Sequence, residues 1–452
     1  MQLYSHQMRG WIHPADAFVT LFGSDANSFW LDREFHDKAY SVMGHAYGNN
    51  LLTSDEMFTA LAERANWSNN STESGVGFEQ KTASDLPFSF RPGFVGWFDY
   101  LQDPLSSLVA GTWLEVREAL VFDHATKSIY FVGYFDSADK FQHWLQAALL
   151  RLSLCGGQQI SYRMQNASRA ESMPISLALS DQEYLRLIKR VQSHIQAGDV
   201  YQLCLTNQIR LSHQSDPLEV FLRLREYNPA PYAAFIRAGD KSLVCSSPEQ
   251  FLGLSAGGQL STRPIKGTRA RNSDPEIDAH IAEELANNLK ERAENLMIVD
   301  LMRNDLGRVA QPDSVRVTEL FKVEPYATVH QLVSTVEAQL AQEFGIIDLV
   351  AAAFPAGSMT GAPKIRAMQL INELEVVPRG VYSGAAGHLG IDGSADLGMV
   401  IRSLVFEGSM VSIGVGGGIT IDSDPNAELE ETKLKASALL AVLGAPDPWA
   451  LT

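Results

Sequence analysis

Four glutamates stand in two matched pairs, Glu291 with Glu294 and Glu428 with Glu431. A spacing of three puts both members of a pair on one face of a helix. If the two faces meet, four carboxylates converge, and like charges at that range are tolerable only around a cation. An all-oxygen set without His or Cys points to Mg2+ rather than a transition metal. Taken alone, such pairs more often describe two solvated helix faces, which are common.

A second group is basic. In TRPIKGTRAR, Lys266 lies between Arg263 and Arg269. Positive neighbours favour the free amine, which is what a nucleophile needs. An ordinary surface lysine in a Pro/Gly turn has the same spacing. Glu249, in SSPEQF, is a candidate proton donor, provided it is partly desolvated.

Glycines form a third group. FPAGSMTGAPK (354–364) sets small residues before Lys364, and Ile413 to Gly418 is a glycine run in a strand-like region. Glycine in a strand marks close approach of backbone or ligand, and open N–H groups there can hold a carboxylate. Bulges and turns are the plainer alternative. Neither segment has the spacing of a phosphate loop or a dinucleotide fingerprint, so a nucleotide-dependent transferase is excluded. Arg402 lies in MVIRSLVF, and Lys435 follows Glu431 by one helical turn.

These residues need elements to position them. Ser180 or Asp181 caps a helix with the apolar stripe Tyr184, Leu187, Ile188, Val191 and Ile195, ended by Gly198. A strand is expected over Val200 to Leu211. Long helices are expected over 280–303 and 425–443, the latter opened by Asp424-Pro425. MVIRSLVF and MVSIGVGGGI, separated by EGS, read as a hairpin. Nearer the N-terminus, FVGWFDY (94–100) and SIYFVGYF (128–135) are strand-like, and Phe141 to Leu152 is helical. The polar stretch 67–85 reads as a surface loop, and 155–179 as a linker between a region 1–154 and a region 180–445. Strands and helices interleave without regular alternation, which predicts an α+β fold with large antiparallel sheets.

The bulk composition narrows the function. The chain has 452 residues, too many for one ordinary core, and a formal charge of −17, which disfavours nucleic acid and membrane surfaces. Cys155, Cys204 and Cys245 have no metal-ligand spacing and read as reduced core thiols. The first residues lack the apolar stretch of a signal peptide, so a soluble cytoplasmic protein is expected and the sequons at Asn66, Asn69 and Asn70 carry no meaning.

Nine segments occur in one order: AGDVYQ, SSPEQF, RPIKGT, ENLMIVDLMRNDLGR, GSMTGAPK, YSGAAGHLG, VIRS, GVGGGI and ELEETKLKA. Together they resemble the chorismate-binding enzyme family, densely over 180–445 and more faintly at SFWLD, YSVMG and GFVGWFDY. That family includes anthranilate synthase component I, aminodeoxychorismate synthase component I, and the isochorismate and salicylate synthases. The resemblance implies two intertwined subdomains with large, mostly antiparallel sheets flanked by helices.

It also implies roles by position. Lys266 would attack C2 of chorismate as the 4-hydroxyl leaves with help from Glu249, and ammonia would then enter at C4 and expel the lysine. Mg2+ would be held by Glu294 and Glu431 directly and by Glu291 and Glu428 through water. Substrate contacts are implied at Gln202, Thr268, His330, Thr360, Gly361, Lys364, Tyr382, Arg402, Gly414, Gly416, Gly417 and Lys435. The isochorismate and salicylate branch uses a lysine base where this chain has Gln202. Anthranilate synthases usually carry alanine in PIxGT, where this chain has Lys266, the mark of the aminodeoxychorismate branch. Tryptophan-binding members carry a Leu-Leu-Glu-Ser type motif, whereas here Trp30-Leu31-Asp32-Arg33 stands, so no tryptophan feedback site is expected. Neither a glutamine amidotransferase module nor a lyase module is recognisable. The expected partner is therefore a separate glutaminase subunit, and release of p-aminobenzoate is not expected. The competing expectations are anthranilate synthase component I and a non-catalytic chorismate-binding regulatory subunit.

Overall fold

The computed structural model describes residues 1–34, 40–64, 86–103, 109–166, 174–326 and 329–451. The polar loop at 67–85 and the three sequons lie outside them. Two large antiparallel sheets dominate the fold. The first runs Gln2–Arg9, Ser128–Phe135, Glu118–Asp123, Tyr40–His45, Asn27–Asp32, Tyr232–Ala238, Lys241–Ser247, Ser403–Glu407, Met410–Ile419, Gln202–Ser212 and Gly361–Ala362. The second runs Ile265–Ala270, Val329–Gln339, Gln259–Arg263, Gln250–Leu254, Ala395–Met399, Ala385–Gly390, Gly93–Phe98, Gly111–Glu115 and Leu51–Thr53. Strands from before residue 154 and after residue 180 enter both sheets, which is the intertwining expected of an α+β fold.

Alternation of side chains explains the layering. Val95 and Trp97 point inward to meet Leu31, Val121 and Ile236 of the facing sheet, while Phe94 and Phe98 point out. The outer face of the first sheet packs on Phe18, Phe141, Phe221 and Leu439. The outer face of the second is covered by Ile298, Val299, Met302 and Leu349. Burying each such side chain contributes about 1.5–3 kcal/mol, so the two sheets act as a stiff platform. All three cysteines are buried and free. No helix among the described residues is long and apolar enough to cross a membrane.

Several elements match the sequence pattern. Ser180 caps the helix Asp181–Gln196 through a reciprocal pair with Glu183, and Asp424 caps Pro425–Leu443. Three differ. The helix expected over 280–303 is two, Pro275–Asn287 and Leu289–Gly307, because Asn288 turns extended and its side chain caps the second helix. MVIRSLVF is not one strand: Ala395–Met399 ends in one sheet and Ser403–Glu407 begins in the other. In the polar segment expected to be a linker, Gln158–Asn166 is helical, and its Tyr162 hydroxyl donates to Asp216 at 2.8 Å.

Candidate active site

Two chain crossings between the sheets run side by side and define the site. Lys241–Ser247 hands over to Gln250–Leu254 through Glu249, and Ala395–Met399 hands over to Ser403–Glu407 through Arg402. They are stitched together, Met399 N–H donating to Glu249 C=O and Ser246 N–H to Arg402 C=O, each at 3.0 Å. Arg402 itself has φ 51°, a left-handed backbone uncommon for any residue but glycine. Such strain at a crossing points to a residue held for its side chain. Among the described residues no carboxylate pairs with its guanidinium; burial pushes its pKa down, against the opposing charges of Tyr382 and Glu431.

Lys266 rises from an irregular edge strand. The ladder between Ile265–Ala270 and Val329–Gln339 shifts register between Ile265 and Thr268, and such bulges re-aim a side chain. Gly267, at φ 81°, permits the shift; a Cβ there would sit 2.8 Å from Leu285 and 3.1 Å from Glu291. Glu249 is buried nearby. Burial pushes its carboxyl up to about 7, against the opposing pull of Lys266, Ser358 and the Ile265 backbone. Half-protonated near neutrality, it suits proton donation.

The expected positive surroundings of Lys266 are not what the structure shows. Arg263 turns to Glu324 at 2.5 Å, and Arg269 to Glu284 at 3.0 Å and Glu291 at 3.2 Å. The charges that interact with Lys266 are instead the carboxylates Glu249, Glu294 and Glu431. Sequence neighbours in a strand point to opposite faces, so proximity in sequence misleads here.

The two acidic faces do approach each other. Lys290 Nζ lies 3.7 Å from Glu294 and 3.2 Å from Glu428, one on each helix. Burial raises the pKa of Glu294, helped by Glu291 and Glu428 and opposed by Lys266 and Lys290. For Glu431 burial works the same way, but Lys435 at 2.7 Å and the other lysines outweigh it and lower the pKa. Among the described residues no three acidic, His or Cys groups are close enough to hold a metal as they stand. The donor chemistry nonetheless fits a hard divalent cation: four carboxylates, two of them already gathered on a single ammonium.

A strand supplies the wall. Met410–Ile419 pairs along its whole length with Gln202–Ser212, but Ser403–Glu407 stops opposite Ser412 on the other edge. Among the described residues, the Gly414–Gly418 half therefore has no strand partner on that edge. A Cβ at Gly414 would overlap the Tyr382 ring. Lys435 Nζ donates to Gly416 C=O at 2.8 Å, and Gly417 faces the Glu428 carboxylate. Gln202 is buried against Gly418, and its Oε1 has no partner among the described residues.

Other expected contacts are engaged elsewhere. Lys364 Nζ bonds Asp305 and the Ala353 carbonyl, both at 2.8 Å. Asp305 and Glu294 share one helix eleven positions apart, about 16 Å along its axis, so this ammonium is held away from the acidic cluster. The Thr360 hydroxyl lies against the carbonyls of Ala356 and Gly357, and Gly361 pairs with Leu203 at the sheet edge. Thr268 is exposed. His330 is buried opposite Arg269; its Nε2 meets Asp278 at 2.9 Å and its Nδ1 has no partner among the described residues. Asp32 and Arg33 are also engaged, Asp32 with Arg225 at 2.8 Å and Arg33 with Asp396 at 3.4 Å. Lys290, Ser358 and Asp278 escaped the sequence pattern. Only Lys290, adjoining Glu291, carried a signal, being a cation at a helix start where acids are favoured.

A family model described as chorismate binding enzyme matches residues 27–441, and the chain belongs to the chorismate-binding enzyme family. It is 39% identical to the aminodeoxychorismate synthase of Streptomyces griseus over 460 residues, covering 96% of this chain and spanning 63% of that protein. With aminodeoxychorismate synthase component 1 of Salmonella typhimurium it shares 41% identity, covering 80% of this chain and 79% of that one. The fold matches the crystal structure of anthranilate synthase component I from Streptococcus pneumoniae with TM-score 0.70 at 24% identity, over 98% of this chain and 92% of the other.

Proposed function

We propose that this chain aminates chorismate at C4 to give 4-amino-4-deoxychorismate, the precursor of p-aminobenzoate in folate synthesis. The ammonia comes from a separate glutamine amidotransferase subunit, and the setting is the cytoplasm. The naming of the Streptomyces and Salmonella relatives supports the activity, and the words component 1 suit a division between two chains. The observation that carries the reading is Lys266 set against the buried carboxyl of Glu249.

The Lys266 amine bonds to C2 of chorismate while both conjugated ring double bonds shift and the C4–O bond breaks. Glu249 gives its proton to the departing hydroxyl, which leaves as water. Ammonia then bonds to C4, both double bonds shift back, and the C2–N bond to Lys266 breaks; the proton lost by the incoming nitrogen restores Glu249. Arg402, half-buried and without a carboxylate partner among the described residues, pairs with a carboxylate of the substrate. Glu291, Glu294, Glu428 and Glu431 would hold Mg2+, which when bound anchors the ring carboxylate and draws electron density from the ring.

Purified chain with chorismate, Mg2+ and ammonium, its products resolved by mass, tests the reading. 4-Amino-4-deoxychorismate is expected; fluorescent anthranilate would assign the chain to the sister activity, and unchanged chorismate to a regulatory subunit. Lys266→Ala should abolish or greatly slow amination with an unchanged circular dichroism spectrum, and could retain some anthranilate-like chemistry. Undiminished amination by this variant would remove the covalent role.

A further inference from the structure

Lys290 stands where the two acidic helices meet. Its ammonium donates to Glu428 Oε1 at 3.2 Å across the gap and lies 3.7 Å from Glu294 Oε1 on its own helix. Local physics disfavours a lysine here. It is the second residue of Leu289–Gly307, where the helix dipole repels a cation. The Glu428 side chain is 5% exposed and the Glu294 side chain 12%, so two largely desolvated negative charges lie beside it. Without a cation between them they would repel strongly. The Lys290 side chain is itself 47% exposed, so its stem can swing outward without unpacking any core.

We infer that Lys290 is a tethered counter-ion, holding Glu294 and Glu428 together in the metal-free protein and giving way when a divalent cation arrives. This rests on the proposed metal role of the glutamates. Ammonium and metal compete for the same two carboxylates. Lys290 therefore sets metal affinity below what the carboxylates alone would give, while stabilising the metal-free state. Its position follows from the mutual repulsion of acids that must stay close before the metal binds.

The test titrates Mg2+ into full-length protein by calorimetry, without substrate, and records Tm with and without Mg2+. Lys290→Met should bind Mg2+ roughly fivefold more tightly than the unaltered chain, the scale of a partly exposed ion pair. Its Tm should be lower without Mg2+, with the difference closing at saturating Mg2+. Lys290→Arg keeps the charge and should stay near the parent affinity. Lys290→Gln replaces the Met variant should that one be insoluble. A merely structural lysine would give the opposite sign, since its loss would loosen the site and weaken metal binding. Equal or weaker binding by Lys290→Met overturns the inference and leaves the metal reading standing. An unaltered chain that takes up no Mg2+ sinks both.

Discussion

A buried carboxyl beside an amine is pulled two ways, and Glu249 shows which pull wins. Burial disfavours its charge more than Lys266 favours it, leaving it near pH 7. The acid form is the one that donates, so kcat/KM should fall as pH rises through about 7. Glu249→Gln should lose that descending limb along with most of the rate; an unaltered limb would assign the ionisation elsewhere. Stability carries the same sign. Because the folded state holds this proton above the ordinary carboxylate range, the cost of ionising it in the fold is absent at low pH. That cost grows as pH rises from about 4.5 towards 7. The acidic cluster makes a second prediction at this scale. Glu294→Gln or Glu431→Gln should raise the Mg2+ concentration needed for half-maximal rate, roughly tenfold if one direct ligand is worth about 1.4 kcal/mol. An unchanged titration would speak against the ligand assignment.

At the scale of elements, the break at Asn288 matters more than its size suggests. One residue ends Pro275–Asn287 and caps Leu289–Gly307, its Oδ1 accepting from the Glu291 N–H at 3.1 Å. It therefore fixes the first turn that carries Glu291 and leads to Glu294. Asn288→Ala should cost about 1 kcal/mol of stability and weaken Mg2+ binding as that turn frays, read by denaturant titration and calorimetry. A loss of stability with intact metal affinity would separate the cap from the site. The break was hard to see in advance because the apolar pattern of 280–303 continues across it. The Arg402 crossing was hidden for a related reason: its flanks are both β-forming, and only the pairing partners reveal a change of sheet.

At the scale of the molecule, one buried ion pair ties the site to the frame. The side chains of Arg379 and Glu375 are 2% and 6% exposed and lie 2.7 Å apart. Arg379 also donates to the carbonyls of Met359 and Cys204 at 2.6 and 2.8 Å, and its guanidinium stacks over Tyr100 at 4.4 Å. Glu375 in turn accepts from Thr206 N–H at 2.9 Å. Glu375→Ala would leave a buried guanidinium without its counter-charge, a loss of about 3–5 kcal/mol. A markedly lower Tm is expected, with weakened catalysis because Cys204 and Met359 adjoin the Gln202 and Thr360 segments. A Tm close to that of the parent would show that the arginine finds another partner.

Much of this protein is determined by residue type and order alone. Caps at Ser180 and Asp424, the matched glutamates, the α+β class and family membership all follow from local chemistry and motif order. Such features depend on neighbours within one helical turn or on residues that cannot be exchanged. Tertiary structure decided the rest: that Arg263 and Arg269 turn away from Lys266, that Lys364 belongs to Asp305, and that Lys290 bridges the acidic helices. Each depends on which distant charge reaches a side chain first, and electrostatic partners are chosen in space, where the order of residues along the chain sets no distance.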